Sequence, residues 1–323
     1  AVLGGDFNCA PMPIDVYDPA ALDGTVAGSE LALHATHAAA HARGISDLAW
    51  SADSTYVASA SDDKSVCVWS LEARPQPVYR LTGHASYAYC VAFHPHGTVL
   101  ASGGFDETVR LWELGAGGAR EVRRIAAHAD PVTSVSFSED GTVLLTSSFD
   151  GLLRLWDVES GRCLRTIVGN DAPPVFSACL LAAPSQYILS GTLDSRIRLW
   201  HVHKHRCLRE YTARHFALGR YACAFRAVVL AEAAFVGVLA GSEEGALYLF
   251  DLDSQALLGR WPVCAQGPLL SMDVSPDMRL IACASLSRSI QILRLQVQVH
   301  SDAQEHADAQ EHADASQCPP VPQ

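Results

Sequence analysis

A tryptophan in the setting Val-Trp or Leu-Trp recurs at Trp69, Trp112, Trp156 and Trp200, at spacings of 43, 44 and 44 residues. Self-similarity at roughly 40–45 residues is the period of a four-stranded propeller blade. Other residues keep the same register. Ten positions before each Trp stand Ser59, Ser102, Thr146 and Ser190, and six before stand Asp63, Asp106, Asp150 and Asp194. Twenty-eight before stand His41, His84 and His128, and the fourth copy lacks the His. One blade-sized unit therefore repeats along the chain, and each unit needs its neighbours to bury its faces.

One copy shows how the pattern becomes strands. Residues 87–93 alternate and end apolar, which reads as a strand, and His94-Pro95-His96-Gly97 reads as a turn. Residues 99–103 and 108–112 are two more strands joined by the short polar Phe105-Asp106-Glu107. A His, an Asp and a hydroxyl in fixed register beside a Trp can close a hydrogen-bond chain, and buried polar groups are tolerated only when so paired. Because the set recurs in every clean copy, it reads as blade cement rather than as catalytic machinery. Later copies lose it. Phe250 and Leu293 take the Trp place, with Glu244 and Ser287 at the Asp position and Ala240 and Cys283 at the hydroxyl position. Ile14–Asp18 resembles another third strand with Tyr17 in the Trp role, and Glu30–Thr36 a fourth. The expectation is an all-β propeller over residues 1–299, of seven blades with an incomplete or degenerate first one within residues 1–29. Six blades is the alternative.

Charge bounds the partners. The chain carries a net charge of −12, and residues 300–323 add Asp302, Glu305, Asp308, Glu311 and Asp314 with no Lys or Arg. A duplex-DNA reader needs a basic footprint, so direct nucleic-acid binding is not expected, whereas basic peptides suit the sign. The segment 300–323 repeats Ala-Gln-Glu-His-Ala-Asp and closes on prolines, the composition of a disordered tail. Ten cysteines without a C-x-x-C pair fit buried thiols in a reducing compartment. The most apolar stretch, Ala222–Ala240, contains Arg226 and Glu232 and reads as two buried strands rather than a membrane span. Gly4–Pro11 (Gly-Gly-Asp-Phe-Asn-Cys-Ala-Pro) resembles a metal and phosphate motif of the endonuclease/exonuclease/phosphatase superfamily, but the terminal Ser-Asp-His of that superfamily is absent. The sequence shows no phosphate loop, nucleophile elbow or zinc spacing, so no catalytic residue, metal or cofactor is assigned.

Longer phrases carry a more specific likeness. Gly44–Trp69, Ala126–Gly141, Phe149–Ile167, Asn170–Val175 and Cys207–Thr212 are similar to the WD40-repeat scaffold subunits of the COMPASS/MLL histone methyltransferase complexes. The similarity spans about Glu30–Leu295 and is strong through Trp200. That resemblance implies a nuclear, non-enzymatic scaffold that binds an arginine of a partner peptide at the mouth of the central channel. On this sequence the implied pocket column is Ser46, Tyr89, Thr133 and Ser177, each 23 residues before its Trp. Tyr89 stands where those subunits carry Phe, and Phe225 with Cys223 matches a second aromatic wall. Two ring faces can sandwich a guanidinium, worth ~0.5–2 kcal/mol. Asp62 matches a rim acid, Phe105 and Phe149 match rim aromatics, and Tyr187 and Leu199 match in part a second face for another subunit. The protein is expected to act as a monomer within a hetero-complex. Two other readings stay open: a WD40 adaptor of a splicing or transport complex, and a ubiquitin-ligase substrate receptor. The latter commonly carries Trp-Asp-x-Arg, and here Trp156-Asp157 continues Val158-Glu159.

Overall fold

The computed structural model describes residues 41–294 apart from segments 71–75, 116, 170, 182–186, 205, 214–224, 231–234, 264–266, 275–279 and 286–289. All its regular elements are strands, arranged as successive antiparallel sheets in chain order. The first sheet is β1 (Ile45–Trp50), β2 (Tyr56–Ser61), β3 (Ser65–Ser70) and β4 (Tyr79–Thr82). The second is β5 (Ala88–Phe93), β6 (Val99–Gly104), β7 (Thr108–Gly115) and β8 (Gly118–Ala126), and the third is β9 (Val132–Phe137), β10 (Val143–Ser148), β11 (Leu152–Asp157) and β12 (Cys163–Val168). The fourth comprises β13 (Val175–Leu180), β14 (Tyr187–Thr192), β15 (Arg196–His201) and β16 (Arg206–Tyr211). A fifth holds β17 (Phe225–Leu230), β18 (Phe235–Gly241), β19 (Ala246–Asp251) and β20 (Leu257–Pro262), and a three-stranded sixth holds β21 (Leu269–Val274), β22 (Leu280–Ser285) and β23 (Ile290–Arg294).

Within each sheet the strands pair in sequence order, and the first strands of successive sheets adjoin one another, β1 with β5, β5 with β9, β9 with β13 and β17 with β21. These are blades of a β-propeller set around an axis lined by first strands. The expected first blade in residues 1–29, the strand at Glu30–Thr36, the motif at Gly4–Pro11 and the tail lie outside the described residues. The stretch Ala222–Ala240 supplies β17 and most of β18.

Third strands are buried on both faces, so they read as continuous apolar runs instead of alternating. Val66, Cys67, Val68 and Trp69 are all buried, as are Val109, Leu111 and Trp112. The core lies between sheets. Trp112 of β7 packs with Ala58, Val66 and Val68 of the preceding blade, Trp156 of β11 with Ala101, Val109 and Leu111, and Trp200 of β15 with Leu145, Leu153 and Leu155. Phe250 keeps that role in β19, packed with Leu189, Ile197 and Leu199. A period of one bulky ring per blade is therefore the period of the inter-blade core.

The link from second to third strand is a tight turn with one residue at positive φ: Lys64, Glu107, Gly151, Ser195 and Gly245, at 64–79°. Each turn closes with an N–H donated three residues back, as from Lys64 to the carbonyl of Ser61 and from Gly151 to that of Ser148. The Asp just before it caps the next strand. Asp63 accepts from the Ser65 N–H at 3.0 Å, Asp106 from Thr108 at 3.3 Å and Asp150 from Leu152 at 3.0 Å.

Candidate interaction site at the channel mouth

In three blades the repeated polar residues meet. His84 Nδ1 lies 3.0 Å from Asp106 and Nε2 lies 2.8 Å from Ser102 Oγ, which accepts the Trp112 indole N–H at 2.9 Å. His41, Asp63, Ser59 and Trp69 repeat this at 2.9, 2.8 and 3.0 Å, and His128, Asp150, Thr146 and Trp156 at 3.0, 2.8 and 2.9 Å. A carboxylate only accepts, so the imidazole proton sits on Nδ1. Nε2 then accepts the hydroxyl proton, and the hydroxyl oxygen accepts the indole N–H. Burial pushes His41 and His128 below the ordinary imidazole value, against the opposing pull of Asp63 and Asp150. Burial alone would raise Asp63, but the Ser65 hydroxyl, the Ala42 N–H and His41 outweigh it and hold the carboxyl at about 2. These side chains are closed among themselves and offer nothing to a substrate.

The fourth blade solves the missing His differently. The position 28 before Trp200 is Ala172, at φ 40°, and Trp200 still donates to Ser190 at 2.8 Å. Asp194 instead pairs with the buried Arg198, which also reaches Thr192 and Glu210. The Asp is thus engaged by a guanidinium where other blades use imidazole.

The proposed pocket column follows from the register of the first strands. In β1, β5 and β9 the pairing skips one residue, and the skipped residues are Ser46, Tyr89 and Thr133. Such a bulge turns its side chain out of the ladder and increases local twist. In the fourth blade the skipped residue is Phe176, not Ser177. Ala178 pairs with Ser190, whereas Val135 pairs with Thr146, so the connection there is one residue longer and the same count back from the Trp stops one residue short. Ser177 takes the register of Ser134, and Phe176, only 3% exposed, packs in the core with Tyr211 and Leu199. Phe225 pairs with Ala240, the register of Leu48, Val91 and Val135, which puts it two residues beyond the bulge position. Cys223, two residues before it, lies outside the described residues.

The Ser46 hydroxyl donates to Asp62 at 3.0 Å, and both residues are half-buried. Tyr89 stacks edge-on against Phe105 with centroids 5.1 Å apart, and Phe105 meets Tyr87 at 5.7 Å. Tyr89 is 8% exposed and belongs to the core, which corrects the expectation that it stands free at a solvent-facing mouth. Burial, then Cys90, Asp47 and Asp62, push its hydroxyl well above the ordinary phenol range. The Thr133 hydroxyl donates to the carbonyl of Val175 on the next blade at 2.8 Å and meets Ser147 at 2.8 Å, so it works between blades. Phe149 is half-buried against the next core cluster. Leu199 is 2% exposed and cannot present a partner face, and Tyr187 packs on that cluster with its ring 5.3 Å from His201. The structure thus brings Ser46, Asp62, Tyr89 and Phe105 together at the junction of the first two blades and commits Thr133 and Phe176 elsewhere.

Residues 34–70, 75–113, 119–157 and 161–201 match the family "WD domain, G-beta repeat". These are WD40 repeats. Each matched segment ends one residue past its Trp, and β16 to β23 lie beyond the matched segments. Among curated proteins the chain is 41% identical over 80 residues to Polycomb protein EED of Chaetomium thermophilum, 23% of this chain and 14% of that one. It is 34% identical over 77 residues to Jouberin of Mus musculus, 24% of this chain and 7% of that one. It is 38% identical over 65 residues to the U5 small nuclear ribonucleoprotein 40 kDa protein of Pongo abelii, 20% of this chain and 18% of that one. The chain thus spans less than a fifth of the length of each of these relatives.

Sequence reasoning missed three residues at the WD40 channel wall. Asp47 reaches across to the next blade, where its carboxylate accepts the Val91 N–H at 2.9 Å. Ser134 does the same between the third and fourth sheets, accepting the Ala178 N–H at 2.9 Å. Tyr87 forms the outer side of Phe105. A partner that is a backbone N–H some 44 residues away leaves no mark in the sequence. Among the described residues no group of three His, Cys, Asp or Glu is placed to hold a metal ion, and no helix is long and apolar enough to cross a membrane.

Proposed function

We propose that this WD40-repeat protein is a non-catalytic scaffold whose channel mouth binds an arginine side chain of a partner peptide, within a nuclear histone H3 lysine methyltransferase complex. The observation that carries the reading is the Ser46–Asp62 pair beside the Tyr89–Phe105 rings. A half-buried carboxylate next to a half-buried ring suits a guanidinium, which offers N–H donors at its edge and a flat face to an aromatic. The acidic net charge favours a basic peptide. The phrases shared with COMPASS/MLL scaffold subunits point to the complex, and one relative is a Polycomb protein. Histone tails and methyltransferase subunits are the candidate peptides.

A second reading, a WD40 adaptor of another assembly with an idle channel, is favoured by the burial of Tyr89 and by relatives as different as Jouberin and a U5 ribonucleoprotein subunit. Capture from nuclear extract with the wild-type chain and Asp62→Asn, followed by mass spectrometry, separates the two. Methyltransferase subunits held by the wild type and lost with Asp62→Asn support the first. The same spliceosomal or transport subunits on both baits support the second.

A further inference from the structure

We propose that Asp47 sets the charge specificity of the channel mouth, making this sector selective for a cationic side chain. The inference rests on the reading above and adds to it a residue outside the pocket set that the resemblance implies. Asp47 follows the Ser46 bulge on β1, and its carboxylate lies between the first strands of two blades. One oxygen accepts the Leu48 N–H at 2.9 Å and the other the Val91 N–H at 2.9 Å.

The same register position in the next three blades holds Cys90, Ser134 and Ser177. Ser134 makes the equivalent tie, accepting the Ala178 N–H at 2.9 Å, and the Cys90 thiol contacts the Val132 carbonyl at 3.8 Å. Between the third and fourth sheets the inter-blade tie is therefore met by a neutral acceptor. The repeat achieves it elsewhere with a hydroxyl, so the negative charge at Asp47 is surplus to packing. It is felt by the side chains around the mouth. Asp47 acts together with burial to push both Tyr89 and Cys90 upward, and Asp62 adds to the effect at Tyr89. Two carboxylates thus flank Ser46 where blades one and two join. A cation entering there gains attraction from both, and a neutral side chain of the same shape does not.

The chain itself suggests the test. Asp47→Ser copies Ser134, retaining the acceptor for Val91 while removing the charge. Wild type, Asp47→Ser, Asp47→Asn and Asp62→Asn are titrated with a synthetic peptide carrying one arginine among Ala, Thr and Gly, and with its arginine-to-lysine counterpart, at low and high salt. Asp47→Ser is expected to melt with the wild type and to bind the arginine peptide about tenfold more weakly at low salt, with a smaller salt dependence. If Asp47→Ser melts early, Asp47→Asn, which keeps one acceptor oxygen, is expected to show the same loss. Wild-type affinity and wild-type salt dependence in both variants would overturn the role of Asp47. In that event, arginine preference that persists in the wild type and falls with Asp62→Asn would leave the channel reading standing. A wild-type protein that binds neither peptide would overturn both.

Discussion

Asp106 holds several donors at once: His84 Nδ1 at 3.0 Å, the Ala85 N–H at 2.8 Å and the Thr108 hydroxyl at 2.8 Å. Asp106→Ala leaves a buried imidazole N–H and a turn N–H unpaired, which costs about 1–3 kcal/mol. An unchanged melting temperature would show that the chain in that blade carries no stability. Asp194→Ala belongs to another case, because it takes the counter-charge from the buried Arg198 and leaves it Glu210, so its cost is of similar size. The guanidinium that replaces the imidazole comes from Arg198, two residues before its Trp, the position that Arg110 and Arg154 hold in the two preceding blades. The same network fixes the pH response. His41 and His128 titrate below the ordinary 6.5, so their contribution is present above that value and is lost as pH falls through their folded values. Asp63, at about 2 against an ordinary 3.8, contributes above 3.8 and is lost as pH falls towards 2. Both act in one direction. Melting followed by circular dichroism is expected to weaken from about pH 6.5 downward and again below pH 4, and a flat profile across that range would contradict the neutral-imidazole assignment.

Each blade is legible where its spacing is rigid. The Trp, Asp and hydroxyl positions lie on the second and third strands and the tight turn between them, whose length hardly varies, so counting finds them. The first strand is joined by a looser connection, and one extra residue in the fourth blade moves the bulge from Ser177 to Phe176. Burial is the other illegible property. Tyr89 reads as a channel-mouth residue, yet the bulge lays it against Phe105 in the inter-blade core. Tyr89→Ala is therefore expected to cost about 3–5 kcal/mol as a core truncation, whereas Tyr89→Phe keeps the ring and costs ~1 kcal/mol at most. Denaturant unfolding of the pair checks this, and a mild Ala variant would return the ring to the surface. The turns give a sharper element-scale case. Gly151 sits at φ 79°, and a Cβ there would lie 2.3 Å from the backbone oxygen of Ala172. Gly151→Ala is expected to destabilise by more than about 1 kcal/mol, since both the left-handed angle and a rigid carbonyl oppose it. A loss no greater than that of an exposed Ala substitution would mean the loop at Asp171–Ala172 gives way.

Across the whole molecule, one period decided the architecture, because each blade buries its ring against the blade before. What a period cannot show is the ligand, since the cement between blades recurs in WD40 proteins of unrelated assemblies and the deviations carry the specificity. Asp47 and Asp62 are such deviations: their register partners Ser134 and Phe149 carry no charge. The tail reading is open to a simple check. Deleting residues 301–323 is expected to leave the melting temperature unchanged, and a clear drop would show that these residues belong to the propeller. Arginine binding at the channel mouth is tested most directly by calorimetric titration of the wild-type chain with one arginine-containing histone H3 peptide and its arginine-to-lysine counterpart. Arginine is expected to bind at least tenfold more tightly, because a planar fork can meet Asp62 and lie against Phe105 together while an ammonium is a point charge. Equal affinity for the two peptides, or none for either, would contradict it and leave a propeller whose channel has another purpose.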